Sequence, residues 1–357
     1  MNSAANIFVR KLLILFIPAA VIITAAAYFS YRSDVIQVYS QLALNEDPVH
    51  AGKGAIGRGL DLIARDALYL SRSLALQDLL EHGSAEQFAR LANEWLEFSR
   101  TKQIYDQIRW IDASGMERIR GNFNHGNPQS VRQEFLQDKH DRYYFRQAMQ
   151  YNKNEIYISP FDLNVEAGQI EQPRKPIIRI ATPLIDTQIG RRGILILNYL
   201  GDDLIERFKS FTDPDTWLTN AAGYWLRGPD RQDEWGFMYN RPKSSFAHRY
   251  PQAWRQISST DSGSIETGAG HWSYLTVYPL RQIGRAHAGT LSVSPSALAM
   301  SSGDTYVWKL IHFTPREVYA EQLQQITLRT FMIKRKPFSC VTTEKHLWAK
   351  LFRFIRF

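Results

Sequence analysis

The stretch DKHDRYYFRQAM, residues 138 to 149, sets Arg142 directly before Tyr143, Tyr144 and Phe145. A guanidinium is a planar fork of donors that stays charged at any working pH, so it suits a carboxylate. Aromatic rings wall a pocket at small entropic cost, and tyrosine hydroxyls add hydrogen bonds. That is the chemistry of holding a small anion out of water. A scaffold reading competes with it, in which Arg142 pairs with Asp138 one helical turn away and the rings are core.

Other residues extend the candidate set. Tyr157, Asp162 and Asn164 come from "IYISPFDLN", Arg179 from the strand after it, and Asn198 from the end of "ILILNYL". The segment "PFDLNVEAGQIEQPRKP" is long and polar and reads as a lid. Its Glu166 and Glu171 lack the spacing of a calcium loop. The nine histidines are scattered, and the single cysteine, Cys340, excludes a disulfide framework and a cysteine-based metal site. "SSG" and "GSIETGAG" form neither a nucleophile elbow nor a phosphate loop. The pattern points to binding without catalysis, metal or cofactor.

These residues need elements to hold them. A chain of 357 residues with 44% apolar and 22% charged content is long enough for two modest folded domains. The net charge is +8, but Lys334, Arg335, Lys336, Lys345, Lys350, Arg353 and Arg356 crowd the C-terminal tail against Glu344. The middle is nearly balanced, so no nucleic-acid partner is expected. An uncharged run from Leu12 to Phe29 follows Arg10 and Lys11 and ends beside Tyr28 and Tyr31. It predicts a membrane anchor with the N-terminus cytoplasmic and the body outside. Ala25 to Ala27 leave a cleaved signal peptide open.

Leu60, Ile63, Ala67, Leu70 and Leu74 recur at helical spacing, and "AEQFARLANEWLEFSR" predicts a second helix after the break at "EHGS". "IYDQIRWIDASGMERIRGN" alternates around a turn that puts Gly115 at positive φ, a β-hairpin pattern. "IIRIATPLID" and "ILILNYL" make another. "TWLTNAAGYWLRGPD" echoes the first hairpin, and "HWSYLTVYPLR" with "HAGTLSVSPS" echoes the second. The repeat predicts two copies of a five-stranded antiparallel sheet.

Anchor, helix and duplicated sheets together resemble the double Cache (PDC-type) sensor domain of bacterial sensor histidine kinases, diguanylate cyclases and chemoreceptors, over residues 34 to 312. That family often carries D-P-R-x-R-P-W-Y-x-x-A. Asp138, Arg142, Tyr144, Phe145 and Ala148 fall on its Asp, second Arg, Trp, Tyr and Ala. The implied fold is α+β. Residues 1–33 are the cytoplasmic tip and transmembrane anchor, and 34–100 a long helical stalk. Residues 101–210 form a membrane-distal PAS-like subdomain and 211–312 a membrane-proximal one. Residues 313–357 are an outgoing helix and basic tail.

The resemblance also implies a small-molecule ligand such as a carboxylate in the distal subdomain. Arg142, Tyr143, Tyr144, Tyr157, Asp162, Asn164, Arg179 and Asn198 would line its site. Loop closure would send a small shift along the N-terminal helix, through which such modules pair as homodimers. The body would sit in the periplasm, held at the bacterial inner membrane. Amino-acid binders of the family place an acid where Asn198 stands, so this chain points away from amino acids unless Asp202 or Asp203 substitutes. The tail after Ile333, interrupted by Pro337, reads as a truncated or frame-shifted end that leaves the receptor without its own output domain, or as a basic amphipathic helix on anionic lipid. The rival function is a ligand-independent interaction module that docks a periplasmic partner protein.

Overall fold

The computed structural model describes residues 2–44, 47–166, 168–186, 190–280 and 306–335. The tail at 336–357, the strand expected at "HAGTLSVSPS" and most of the "TQI" turn therefore lie outside the described residues. The chain divides into two bodies, Met1–Asn45 with Gly268–Gly270 and Thr314–Phe357, and Glu46–Thr267 with His271–Phe313.

The first helix, α1 (Asn2–Leu44), holds the uncharged run. Ile14, Phe16, Ile17, Val21, Ile22, Ile23 and Phe29 are exposed along it. The side chains of Leu12, Leu13 and Leu15 lie outside the described set. Among the described residues no helix is long and apolar enough to cross a membrane.

The larger body opens with α2 (Asp47–Ser71), α3 (Leu74–His82) and α4 (Ala85–Lys102). The helical region thus breaks at the EHGS segment, between α3 and α4, where the sequence places a break. Local chemistry sets the breaks. Ser73 caps α3 through the Leu76 N–H, Gly83 ends it at φ 64°, and Ser84 and Gln87 form a capping box on α4. Leu60, Ile63, Ala67 and Leu70 of α2 and Leu91 and Trp95 of α4 are fully buried in one core with Ile108, Ile178, Ile180, Leu195 and Leu197. These helices therefore cover one face of the first sheet, because their apolar stripes have nowhere else to go.

That sheet comprises β1 (Tyr105–Asp112), β2 (Glu117–Asn122), β3 (Gln129–Ser130), β4 (Tyr157–Ile158), β5 (Asp162–Leu163), β8 (Pro176–Asp186) and β9 (Gly190–Leu200). A small separate hairpin, β6 (Val165–Glu166) with β7 (Gln169–Ile170), lies in the expected lid segment. The order is β3-β2-β1-β9-β8-β4, with β5 also on β8. The β1–β2 turn puts Gly115 at φ 96°, and a Cβ there would collide with the His140 backbone. The turn glycine thus also seats the DKHD segment. A short helix, α5 (Tyr143–Ala148), covers the second face of the sheet, and α6 (Gly201–Phe211) follows β9.

The second sheet holds β10 (Thr216–Asn220), β11 (Trp225–Arg227), β12 (Ser262–Thr267), β13 (Gly270–Val277) and β14 (Trp308–Pro315), with α7 (Phe246–Arg249) and α8 (Pro251–Ser259) between β11 and β12. Its order is β11-β10-β14-β13-β12. Without its edge strand β3, the first sheet runs second, first, last, next-to-last, third, and the second sheet runs the same way. The expectation of two sheets holds in that sense. Nearly all of both sheets belongs to one body. In the smaller body, α9 (Arg316–Arg335) packs on α1 through Tyr319 and Val38, with Leu323 and Ile326 beside them.

Candidate ligand-binding site

Alternate residues of a strand share a face. On β1, Gln107, Arg109 and Ile111 face α5. Opposite them on β9 stand Ile194, Ile196 and Asn198, and on β8 Arg179 and Ala181. This face has two ends. Ile111, Ala181, Ile194 and Ile196 pack against Tyr144, Phe145 and Ala148 of α5, with Tyr151 and Tyr157. The other end buries charge.

There Arg109 is 3% exposed. Its Nη1 donates to Glu117 Oε1 at 3.3 Å and to the Tyr144 hydroxyl at 3.4 Å, and its Nη2 to Asn198 Oδ1 at 2.7 Å. Asn198 Nδ2 donates to Gln107 Oε1 at 3.2 Å. Arg179, 4% exposed, donates to Asp162 Oδ1 at 2.9 Å and to Asn164 Oδ1 at 3.2 Å. The Tyr143 hydroxyl donates to Asp162 Oδ2 at 3.1 Å. Asn164 Nδ2 reaches into the lid, to Glu166 Oε1 and Glu171 Oε2.

Tyr144 is the centre of this cluster. The guanidinium carbons of Arg179, Arg109 and Arg142 lie 5.3, 5.6 and 5.7 Å from its ring centroid. Burial favours the neutral phenol, yet Arg109, Lys139 and Arg179 together outweigh it and hold Tyr144 below the ordinary tyrosine range. Burial, then Asp162, pushes Tyr143 up to about 12. Burial raises the Asp162 carboxyl, and Arg179 pulls against that rise without cancelling it. Burial also lowers Lys139. Like cations gathered around one ring repel, and Glu117 and Asp162 offset part of the excess. Among the described residues, Arg109 Nε is buried with no hydrogen-bond partner. The face therefore holds an unspent donor on a buried cation, which an anion would satisfy.

The expected residues fall into three groups. Tyr143, Tyr144, Asp162, Asn164, Arg179 and Asn198 come together. Tyr157 sits at the apolar end and donates to Gln147 Oε1 at 2.9 Å. Arg142 is exposed and meets the cluster through the Tyr144 ring. Its expected partner Asp138 accepts from the His140 backbone N–H instead. Asp203 is occupied by Tyr199 and Arg207, on the other side of the sheet, so it is no substitute for Asn198. Arg109, Gln107 and Glu117 were not expected. The signal for Arg109 was a lone charge between Ile108 and Trp110 in a strand.

The sequence matches the family model for the sensor domain of bacterial histidine kinases over residues 66–279. No curated protein matches it. Among solved structures, it is similar to the domain described as that of a sensory box/GGDEF family protein from Vibrio parahaemolyticus, at 22% identity and TM-score 0.60, covering 83% of this chain and 99% of that one. It is similar to the extracellular domain of a protein described as a histidine kinase, at 22% identity and TM-score 0.60, covering 84% and 99%. The sensory domain of the Campylobacter jejuni chemoreceptor Tlp3, solved with isoleucine bound, gives 11% identity and TM-score 0.52, covering 80% and 96%. At these identities the likeness is one of fold.

Proposed function

The chain belongs to the family of bacterial histidine kinase sensor domains, and from that premise we propose that it is the extracytoplasmic small-molecule sensing module of a membrane-bound signal-transduction receptor. The uncharged run in α1 serves as its anchor and supports pairing of two copies through that helix. The shared strand order supports reading the sheets as a distal and a proximal PAS-like unit. The module binds its ligand in the distal unit and does no chemistry on it.

The observation that carries this reading is the buried Arg109–Tyr144–Arg179 cluster, with Arg109 Nε unpartnered among the described residues. The carboxylate of a small ligand would supply the partner that this buried guanidinium lacks. The ligand class follows from the same face. The Asn198 amide oxygen is taken by Arg109, and the carboxylates of Glu117 and Asp162 each face an arginine. An ammonium would meet cations there. The ligand is therefore a small carboxylate without an α-amine, unlike the isoleucine bound to the chemoreceptor domain.

A thermal-shift series on the full chain with pyruvate, lactate, succinate and isoleucine tests this, because a ligand that binds only the folded state raises the melting temperature. A rise with one of the first three, lost in Arg109→Ala, is the expected outcome. A rise with isoleucine alone would reverse the ligand class.

A further inference from the structure

The two sheets meet along Ser159–Asp162, and this segment faces the binding cluster on one side and the second sheet on the other. Toward the cluster, Ser159 Oγ accepts from the Arg179 backbone N–H at 2.9 Å, and Asp162 accepts from Arg179 Nη1 at 2.9 Å. Toward the second sheet, the Ser159 carbonyl accepts from the Tyr306 hydroxyl at 2.8 Å. The Phe161 ring stands edge-on to Trp235 at 4.9 Å and lies 5.7 Å from Trp308. Both tryptophans are 1% exposed.

The Phe161 ring has little room of its own. Behind it lies Gly201, where any Cβ would run into the ring. A ring packed this closely passes a displacement on, since close-packed interiors do not absorb one. Trp308 opens β14, which lies between β10 and β13 and leads directly into α9. The far end of the lid is tied as well. Arg174 donates to the Arg231 carbonyl at 2.8 Å and to Glu234 at 2.6 Å.

We propose that Phe161 is the lever by which occupancy of the Arg179 site reaches β14. This rests on the sensing reading above. A ligand carboxylate on Arg179 competes with Asp162 for the same guanidinium. Asp162 then gives up its bond to Arg179 but stays on the Tyr143 hydroxyl, and the neighbouring Phe161 shifts against Trp308. The ligand acts by favouring the state in which Asp162 is released.

The coupling can be read without a ligand. Asp162→Asn removes the charge that holds Arg179 and imitates release. Hydrogen exchange on the full chain reports the result. Asp162→Asn should speed exchange of the β14 amides from Trp308 to Thr314 by about 5- to 150-fold, the span of ordinary coupling energies. In a Phe161→Leu background the same change should alter β14 exchange by less than about twofold, as for uncoupled sites. Trp235→Phe provides a second background if Phe161→Leu does not fold. Loosening confined to the lid and β8, or an equal effect in every background, overturns the lever. Failure of every carboxylate to bind would sink the sensing reading but leave this coupling measurable.

Discussion

On the α5-covered face of the first sheet, β1, β8 and β9 bury Arg109, Arg179 and Asn198. On the α7- and α8-covered face of the second sheet, their counterparts β10, β13 and β14 bury Trp217, Trp272 and Ile311, with Phe313 half-buried beside them. Trp272 stacks on Phe313 at 4.2 Å, and Tyr250 and Phe246 stand 4.7 and 5.3 Å from Trp272. Lys309 reaches this side, but its ammonium is taken up by the Thr260 carbonyl and Thr276 Oγ1. One strand order therefore supports two different faces. The second face is filled by rings and serves as core. The first gives up apolar packing to hold charge, whereas the donors left over on the second, Trp217 Nε1 and Trp225 Nε1, are uncharged. Function lies in what a face carries and not in its topology.

The sharpest break between the faces should appear in stability. Trp272→Ala should cost about 3–5 kcal/mol in denaturant unfolding, as for large aromatic truncations in a packed core. Removing the buried pair whole, with Arg109→Met and Glu117→Leu together, should leave stability within about 1 kcal/mol or raise it, since paired buried charges often cost as much as they return. A double variant as weak as Trp272→Ala would make the first face ordinary core and erase the contrast.

A smaller effect is expected at the rim. Arg142→Ala should lower carboxylate affinity by several-fold, near the roughly 0.5–1 kcal/mol of an exposed cation–π contact, with stability unchanged. A loss as large as that of Arg109→Ala would move Arg142 into the site proper.

Part of this contrast was legible in the sequence. The turn at Gly115, the two hairpins of the first sheet and the inward-facing Arg179 follow from alternation and turn chemistry. Tyr144 was found from its neighbours in the motif. Arg109 and Gln107 were not found, because β1 is buried on both faces and alternation then carries no sign of which side is inside. Glu117 begins a short strand, where a carboxylate reads as a turn residue. The position of Arg142 at the rim depends on where α5 begins, and the motif alone does not fix that boundary.

The smallest effect is spectroscopic. Tyr144 lies below the usual tyrosine value of about 10, while Tyr143 and Tyr151 are each pushed up to about 12. Its phenolate stabilises the fold above the unfolded value, and that contribution is lost as pH falls through the folded value. In an ultraviolet titration of the full chain, Tyr144→Phe should delete the earliest phenolate step. An unchanged onset would mean that the arginines do not act on this ring.

The most direct test of the central claim is calorimetric titration of the full chain with pyruvate, lactate, succinate and isoleucine, repeated on Arg109→Ala. Heat is expected from a carboxylate without an α-amine. Arg109→Ala should lose about 2–5 kcal/mol of that binding, a fall in affinity of roughly thirtyfold to several thousandfold. Equal affinity in Arg109→Ala, or binding of isoleucine in preference to the others, would contradict the claim.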